Sequence, residues 1–295
     1  MNRIAFQGEP GAYSEAAALR FDPDAEPMPN KSFEEVFACV TGGDVERGIL
    51  PIENSIGGTI HRNYDLLLEH ELPIVGEVEL RVIHSLIAYP GTRIEQLRQV
   101  YSHPQALAQC ELFLRSLQGV DVVATYDTAG SAKLIREGEL RDTAAVASAR
   151  AARLFGLEVL QEGIQDFADN ITRFLIVARA PLAAAAAHKT TMVFALPNEP
   201  GSLFRALSVF ALRGLDLTKL ESRPIRGRPW EYLFYVDMAA SAEDERLIRA
   251  LGHLREFATM VRVLGSYPRW EGERVEGQGE RAVSGRPGKR EEGKE

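Results

Sequence analysis

The sequence predicts an α/β protein in two parts: a region of two lobes built on parallel sheets, then a smaller ferredoxin-like unit of βαββαβ order. Short apolar runs separated by helical patterns of about ten to fifteen residues fill the chain over 3–178, the alternation that builds parallel sheets and leaves ligands beyond the strands' carboxyl ends. Several of these runs empty directly into clusters of small polar residues, the profile of strands ending at a binding cleft. From Thr190 onward the pattern is self-contained, with four strands and two helices in the βαββαβ order.

The 295-residue chain is long enough for two domains with their own cores, and its 45% hydrophobic content is that of an ordinary globular protein. A net charge of −8 gives no global electrostatic reason to bind nucleic acid or an anionic membrane, while leaving room for a local basic pocket for a small acid. Cys39 and Cys110 are too few for a disulfide framework and lack zinc-ligand spacing, so reduced thiols and no metal are expected. Met1-Asn2-Arg3-Ile4 enters a strand pattern at once, which leaves no room for a signal peptide, and no run is long enough to span a bilayer. The expectation is a cytoplasmic protein.

Residues 3–6 read as a strand, and Gln7-Gly8-Glu9-Pro10-Gly11-Ala12-Tyr13-Ser14 as a glycine loop before a helix over 15–20. GxxG without the wider glycine spacing is not a dinucleotide fingerprint, and Ser14 is either an N-cap or a ligand contact. Residues 33–40 have helical spacing. Gly48-Ile49-Leu50 then delivers the chain into Pro51-Ile52-Glu53-Asn54-Ser55-Ile56-Gly57-Gly58-Thr59, which offers a carboxylate, an amide, two hydroxyls and glycines that let backbone N–H groups approach a ligand. The stretch 60–70 reads as a helix with Tyr64, Leu67 and Leu68 on one face.

Residues 74–80 and 84–89 read as strands, with His84 and Ser85 where the chain can cross to another lobe; His84 alone reads as structural. Val100-Tyr101 ends in Ser102-His103-Pro104-Gln105. Pro104 suits the first helical position, Gln105 and Gln109 share a face, and Leu107, Cys110, Leu114 and Leu117 form the buried stripe of one helix. Residues 120–125 form a strand, and Asp127 or Thr128 caps a helix with a small first turn. Residues 143–148 form another strand, and Gly156 closes a helix ending at Phe155. Asn170-Ile171-Thr172-Arg173-Phe174 stands at the mouth of an apolar strand over 175–178, and alternation points Thr172 and Arg173 to opposite faces. Residues 181–188 read as a linker. The βαββαβ unit takes strands at 190–196, 216–221, 232–238 and 260–265 and helices at 202–213 and 242–257. From Glu271 glycine and mixed charge dominate, and a disordered tail is expected.

Gly8-Glu9-Pro10-Gly11-Ala12-Tyr13-Ser14, Pro51-Ile52-Glu53-Asn54-Ser55, Ser102-His103-Pro104-Gln105, Thr128-Ala129, Asn170-Ile171-Thr172-Arg173-Phe174, Pro200-Gly201-Ser202-Leu203 and Glu221-Ser222-Arg223-Pro224 together resemble prephenate dehydratase followed by a regulatory ACT domain. The resemblance runs from Arg3 to Pro268. It implies a two-lobed, periplasmic-binding-protein-like catalytic region over 1–180 with its second lobe around 80–155, a linker over 181–189, an ACT domain over 190–270 and the tail over 271–295. It further implies conversion of prephenate to phenylpyruvate, water and carbon dioxide without a cofactor, and inhibition by L-phenylalanine at the ACT domain. An exposed sheet edge and an apolar sheet face in the ACT domain would pair with a second copy, giving a homodimer or homotetramer.

Thr172 is the expected partner of the departing hydroxyl; Glu53, Asn54, Ser102 and Gln109 are expected to bind and orient the diacid, with Ser14, Ser55, Thr128 and Arg173 around it. Asn198, Gly201, Ser202, Leu203, Glu221, Ser222 and Arg223 are the expected phenylalanine site. Residues 57–65 and 258–268 also look like the arogenate dehydratases of plants, so the substrate's keto or amino side chain stays open. Gly201-Ser202-Leu203-Phe204 departs mildly from the Gly-Ala-Leu-Val of many relatives. A non-catalytic amino-acid sensor is the competing class; Thr172 with Glu53 and Gln109 speaks against it, and release of phenylpyruvate from prephenate separates the two.

Overall fold

The computed structural model describes residues 2–181, 187–225 and 227–272. Most of the predicted linker and all but two residues of the predicted tail lie outside that range. The chain opens with β1 (Arg3–Gln7), α1 (Tyr13–Phe21), β2 (Glu26–Asn30), α2 (Phe33–Gly42), β3 (Arg47–Asn54), β4 (Gly58–Thr59), α3 (His61–His70) and β5 (Ile74–Arg81). β2 and β3 flank β1 in parallel. No strand is predicted over 26–30 because of Pro27 and Pro29. β2 is an edge strand, the place in a sheet where a missing N–H is tolerated.

A second sheet follows, from β6 (Ser85–Ala88), β7 (Gln99–Ser102), α4 (Pro104–Gln109), α5 (Glu111–Ser116), β8 (Asp121–Ala124), α6 (Thr128–Glu137), β9 (Thr143–Ala147), α7 (Ala149–Phe155) and β10 (Glu158–Glu162), in the order β10-β6-β9-β7-β8. β11 (Ile171–Ala178) then returns to the first sheet and inserts between β3 and β5, antiparallel to both. The sheets are therefore mixed rather than parallel. β6 and β11 enter their sheets straight from the lobe-to-lobe connections, with no helix to carry the chain back, and such a strand runs antiparallel. The single helix predicted after Pro104 is two short ones, broken at the buried Cys110, whose φ of −119° and ψ of 24° leave the helical range.

The two lobes share one apolar core. Ile4, Phe6, Ile49 and Phe174 of the first sheet pack in the same cluster as Ile87, Ala129, Ala145 and Ala151 of the second. Arg150 pairs with Glu15 at 2.9 Å, Lys133 with Glu9 at 3.2 Å, and Ser148 Oγ donates to Gly11 O at 2.8 Å. Gly11, at φ 93°, lies so near α7 that a Cβ there would stand 2.8 Å from Ala151 Cα. Closure over this flank is thus built into the core.

β12 (Lys189–Ala195), α8 (Ser202–Ala211), β13 (Leu217–Pro224), β14 (Tyr232–Met238), α9 (Glu245–Arg255) and β15 (Met260–Tyr267) form the predicted βαββαβ unit, an antiparallel sheet in the order β13-β14-β12-β15. Its two faces serve different cores. Met192, Phe194, Val236 and Met238 pack under α8 and α9, whereas Val193, Tyr235, Leu264 and Tyr267 join Phe37, Tyr64, Leu67 and Leu175 of the first lobe. This docking explains why every residue of β12 is buried. Among the described residues no helix is long and apolar enough to cross a membrane.

Candidate active site

A cavity of about 530 Å³ lies between the lobes. Its wall gathers helix starts from both lobes: Ala12, Tyr13 and Ser14 at α1, Ser32 and Phe33 at α2, His103 and Gln105 at α4, Asp127 and Thr128 at α6. Side chains cap three of them, Ser32 at α2, His103 at α4 and the Asp127 carboxylate at α6, while α1 has no side-chain cap and so brings the positive end of its dipole uncapped to this space, which suits an anionic ligand. Lys31, between β2 and α2, is the one Lys or Arg among the described lining residues.

The polar floor is a network of amides. Asn54, ending β3, is the register partner of Thr172 on β11. Asn54 Nδ2 donates to Thr172 Oγ1 at 2.9 Å and to Asn170 Oδ1 at 2.7 Å. Asn54 Oδ1 accepts from Gly57 N at 2.7 Å, Ile56 N at 3.1 Å and Gln109 Nε2 at 3.2 Å. Gln109 Oε1 accepts from Asn170 Nδ2 at 2.9 Å and lies 2.8 Å from His84 Nε2. An acceptor there assigns the imidazole proton to Nε2. Tyr13 OH stands 3.0 Å from His84 Nδ1 and 2.7 Å from Ile83 O. Burial, partly offset by the bond to Gln109, holds the His84 pKa below its ordinary 6.5, so the ring is neutral near pH 7.

The consequence falls on Thr172. Its oxygen accepts from Asn54, and none of the described residues takes its proton, so the hydroxyl meets the cavity as a donor.

Asn54, Gln109, Thr172, Ser14 and Thr128 come together in the cavity wall. Ser14 is no cap, since Ala12 holds the N-cap position of α1 and Ser14 lies in its first turn, and the Gly57 N–H is used by Asn54 rather than left for a ligand. Glu53, Ser55, Ser102 and Arg173 do not line the cavity. Ser102 is fully buried and donates to Val146 O at 2.6 Å, tying β7 to β9. Ser55 Oγ donates to Asp169 O at 2.6 Å and accepts from Ile171 N at 2.9 Å, stapling the loop after β3 to the start of β11. Glu53 and Arg173 are register partners on the far face of the strands that carry Asn54 and Thr172, 2.8 Å apart. The alternation predicted for Thr172 and Arg173 is thus present, and it sets Arg173 outside the cavity wall that Thr172 lines.

In the C-terminal unit Gly201 caps α8 with φ 80°, with Asn198 exposed, Ser202 buried and Leu203 half-buried beside it. Glu221 and Arg223 turn away from this loop. Glu221 accepts from Thr59 Oγ1 at 3.1 Å, and Arg223 bonds Asp65 at 3.0 Å and His61 O. Both are contacts to the first lobe, made from the face of β13 opposite Ser222. Lys31, Tyr13, His84 and Asn170 are site groups that are not predicted as such; Asn170 stands inside a quoted motif, whereas nothing local marks Lys31.

A sequence profile described as prephenate dehydratase matches residues 4–182, and one for the ACT domain matches 190–255. Among curated proteins, arogenate dehydratase/prephenate dehydratase 2, chloroplastic, of Arabidopsis thaliana is 53% identical over 277 residues, which span 90% of this chain and 72% of that protein. Among solved structures, prephenate dehydratase from Arthrobacter aurescens in complex with L-Phe superposes with a TM-score of 0.82 at 33% identity, covering 90% of each chain. A protein described as a novel type of quorum quenching acylase gives 0.83 at 38% identity, over 91% of this chain and 98% of its own. The first profile takes in both lobes and every residue of the amide network, the second the docked βαββαβ unit, and the chain belongs to the prephenate dehydratase family, with a C-terminal ACT domain.

Proposed function

We propose that the cleft catalyses the decarboxylative dehydration of prephenate to phenylpyruvate, water and carbon dioxide, and that L-phenylalanine inhibits it through the ACT domain. The observation that carries this is the Thr172 hydroxyl, held by its oxygen and free to donate. As the bond from the ring to its carboxylate breaks, the electron pair enters the ring and the opposite C–O bond breaks; the leaving oxygen takes a hydrogen bond from Thr172 and departs as water with one proton drawn from solvent, passed on through that hydroxyl, so that Thr172 ends the step protonated. The carboxylate that leaves as carbon dioxide loses its charge, so it suits the apolar wall of Phe33, Ile60 and Phe174. The retained carboxylate suits Lys31 and the helix starts. Asn54 and Gln109, cross-bonded and buried, keep these elements in place without a charge of their own.

A second substrate, arogenate, is favoured by the names of the plant relatives and by Asp127, a buried carboxylate in the wall that suits an ammonium group. Acyl-amide hydrolysis is not favoured. The His84 nitrogens face Gln109 and Tyr13, and His103 Nδ1 accepts from Gln105 N, so the described cleft holds no Ser–His or Thr–His pair to make a nucleophile. Incubating the protein with prephenate and, separately, arogenate, and following phenylpyruvate and phenylalanine, decides between the two substrates; a folded protein that turns over neither sinks the reading.

Asn198, Gly201, Ser202, Leu203 and Ser222 remain the residues proposed for phenylalanine. Phe204 and Leu212 on and beside α8 are 77% and 83% exposed, and β13 leaves one edge unpaired within the chain. These support a homo-oligomer formed through the ACT domains. The free thiols Cys39 and Cys110 support a reducing compartment such as the cytoplasm.

A further inference from the structure

Asn54 and Thr172, the two cavity residues carried on paired strands, each have a charged neighbour, Glu53 and Arg173, on the far face of their strand. Arg173, beside Thr172, is 6% exposed and meets Asp237 at 2.6 Å, Glu77 at 2.7 Å and Glu53 at 2.8 Å, and its Nη2 donates to Tyr267 OH at 3.2 Å. Lys189 lies 2.8 Å from Glu77 and 3.6 Å from Asp237, Lys219 bonds Glu53, and Thr191 Oγ1 donates to Asp237 at 2.6 Å. Glu53, Glu77 and Arg173 stand on β3, β5 and β11 of the first lobe; Lys219, Lys189 and Asp237 stand on β13, β12 and β14 of the ACT sheet. The first lobe brings one cation to two anions; around them the ACT domain sets Lys189, Lys219 and Asp237, with Glu221 of β13 3.9 Å from Lys219 at the rim. Docking thus gives the two first-lobe carboxylates cations that their own lobe does not supply. A buried guanidinium of this kind is tolerable only with its partners in place.

On its β5 side this part of β11 pairs in unbroken register, whereas on its β3 side the pairing slips between Arg173 and Phe174, opposite Pro51, which has no N–H to give to the ladder. Across that irregular step the Arg173 side chain ties β11 to Glu53 of β3 and so fixes it on the side that carries Asn54.

We propose that Arg173 is a positioning residue for Thr172, and that Asp237 and Lys219 of the ACT domain complete the charge set that holds it, so that the regulatory domain sets the placement of the catalytic hydroxyl through a single strand. This rests on the dehydratase reading of the cleft. Asp237→Asn keeps the shape of the side chain and removes its charge. In the full-length protein it should lower kcat by about tenfold or more while moving KM by less than about threefold. Lys219→Gln, at the rim of the cluster, should act in the same direction more weakly, and carries the test if Asp237→Asn does not fold. In a Thr172→Ala background neither change should lower kcat further, because the hydroxyl they position is gone. Methyl NMR reads the same placement without turnover: the Thr172 γ-methyl resonance, identified by its loss in Thr172→Ala, should shift in both charge variants. A wild type inactive on both substrates would fail the dehydratase reading and leave the methyl shift to decide the positioning. The proposal is overturned if the charge variants keep kcat within about twofold of wild type with the Thr172 methyl unmoved, or if their effects add to that of Thr172→Ala.

Discussion

Thr172→Ala deletes a hydroxyl whose oxygen is already held by Asn54, and kcat should fall by roughly 10²–10⁴ with a smaller change in KM, while Thr172→Ser retains more activity. Steady-state kinetics check this; kcat within about twofold of wild type would remove Thr172 from the chemistry. His84 gives a second expectation. Its folded pKa is depressed, so the unfolded chain takes up a proton near the ordinary 6.5 and the folded chain only at lower pH. The unfolded state therefore binds more protons in that window, and stability falls as pH drops through it. Urea midpoints at about pH 7.5 and about pH 5.5 should differ more in wild type than in His84→Gln; equal differences would mean that the ring is not held neutral. Asn54, Gln109 and Thr172, picked out in the sequence as polar residues near the ends of apolar runs, are gathered by the structure in one cavity wall. Glu53 and Ser102 fall outside that wall for one reason, that the end of a strand marks a loop without saying which face each side chain takes. Alternation separates Thr172 from Arg173, and the same parity separates Asn54 from Glu53.

At the scale of elements, β15 passes β5 so closely that a Cβ on Gly265 would press on Ile74 O and stand 2.7 Å from Ile74 Cβ. Backbone cannot yield there as a side-chain end can. Gly265→Ala should loosen the docked sheet and cost about 1–3 kcal/mol, read as a lower urea midpoint with the slope retained. An unchanged midpoint would show that the strands have room to spare. The strands most visible in the sequence are those buried on both faces, such as β9 and the second half of β14, because apolar runs there leave no other reading. β2 and β10 are not visible. One carries two prolines, and the other, Glu158–Glu162, is an exposed edge whose charges and glutamine blur any period.

For the whole molecule, the two-lobed region and the βαββαβ unit are legible from the order of elements, whereas the face on which the unit docks is not. That face is chosen by Val193, Tyr235 and Tyr267, residues that sequence alone would send to the unit's own core as readily as to another. Phenylalanine regulation is tested at Gly201, whose φ of 80° a valine adopts only with strain. Calorimetry on Gly201→Val should show the binding heat of phenylalanine lost, together with inhibition, a coupling typically about 1–3 kcal/mol. Heat retained at wild-type strength would place phenylalanine elsewhere.

The return of β11 also sets an order of assembly. Asn54 and Thr172 meet across 118 residues of chain, and the strand that joins them stands in the middle of a sheet whose other members are synthesised long before it. Closing a loop of that length is slow for a disordered chain. The second lobe shortens the distance by folding, since its first and last strands pair and bring Ser85 opposite Glu162, delivering β11 to the gap between β3 and β5. Until then the first lobe waits with two open strand edges, the form most exposed to aggregation. The contact between Asn54 and Thr172 therefore cannot form before β11 is in place, and a nascent chain lacking β11 has neither its hydroxyl nor the sheet that holds it.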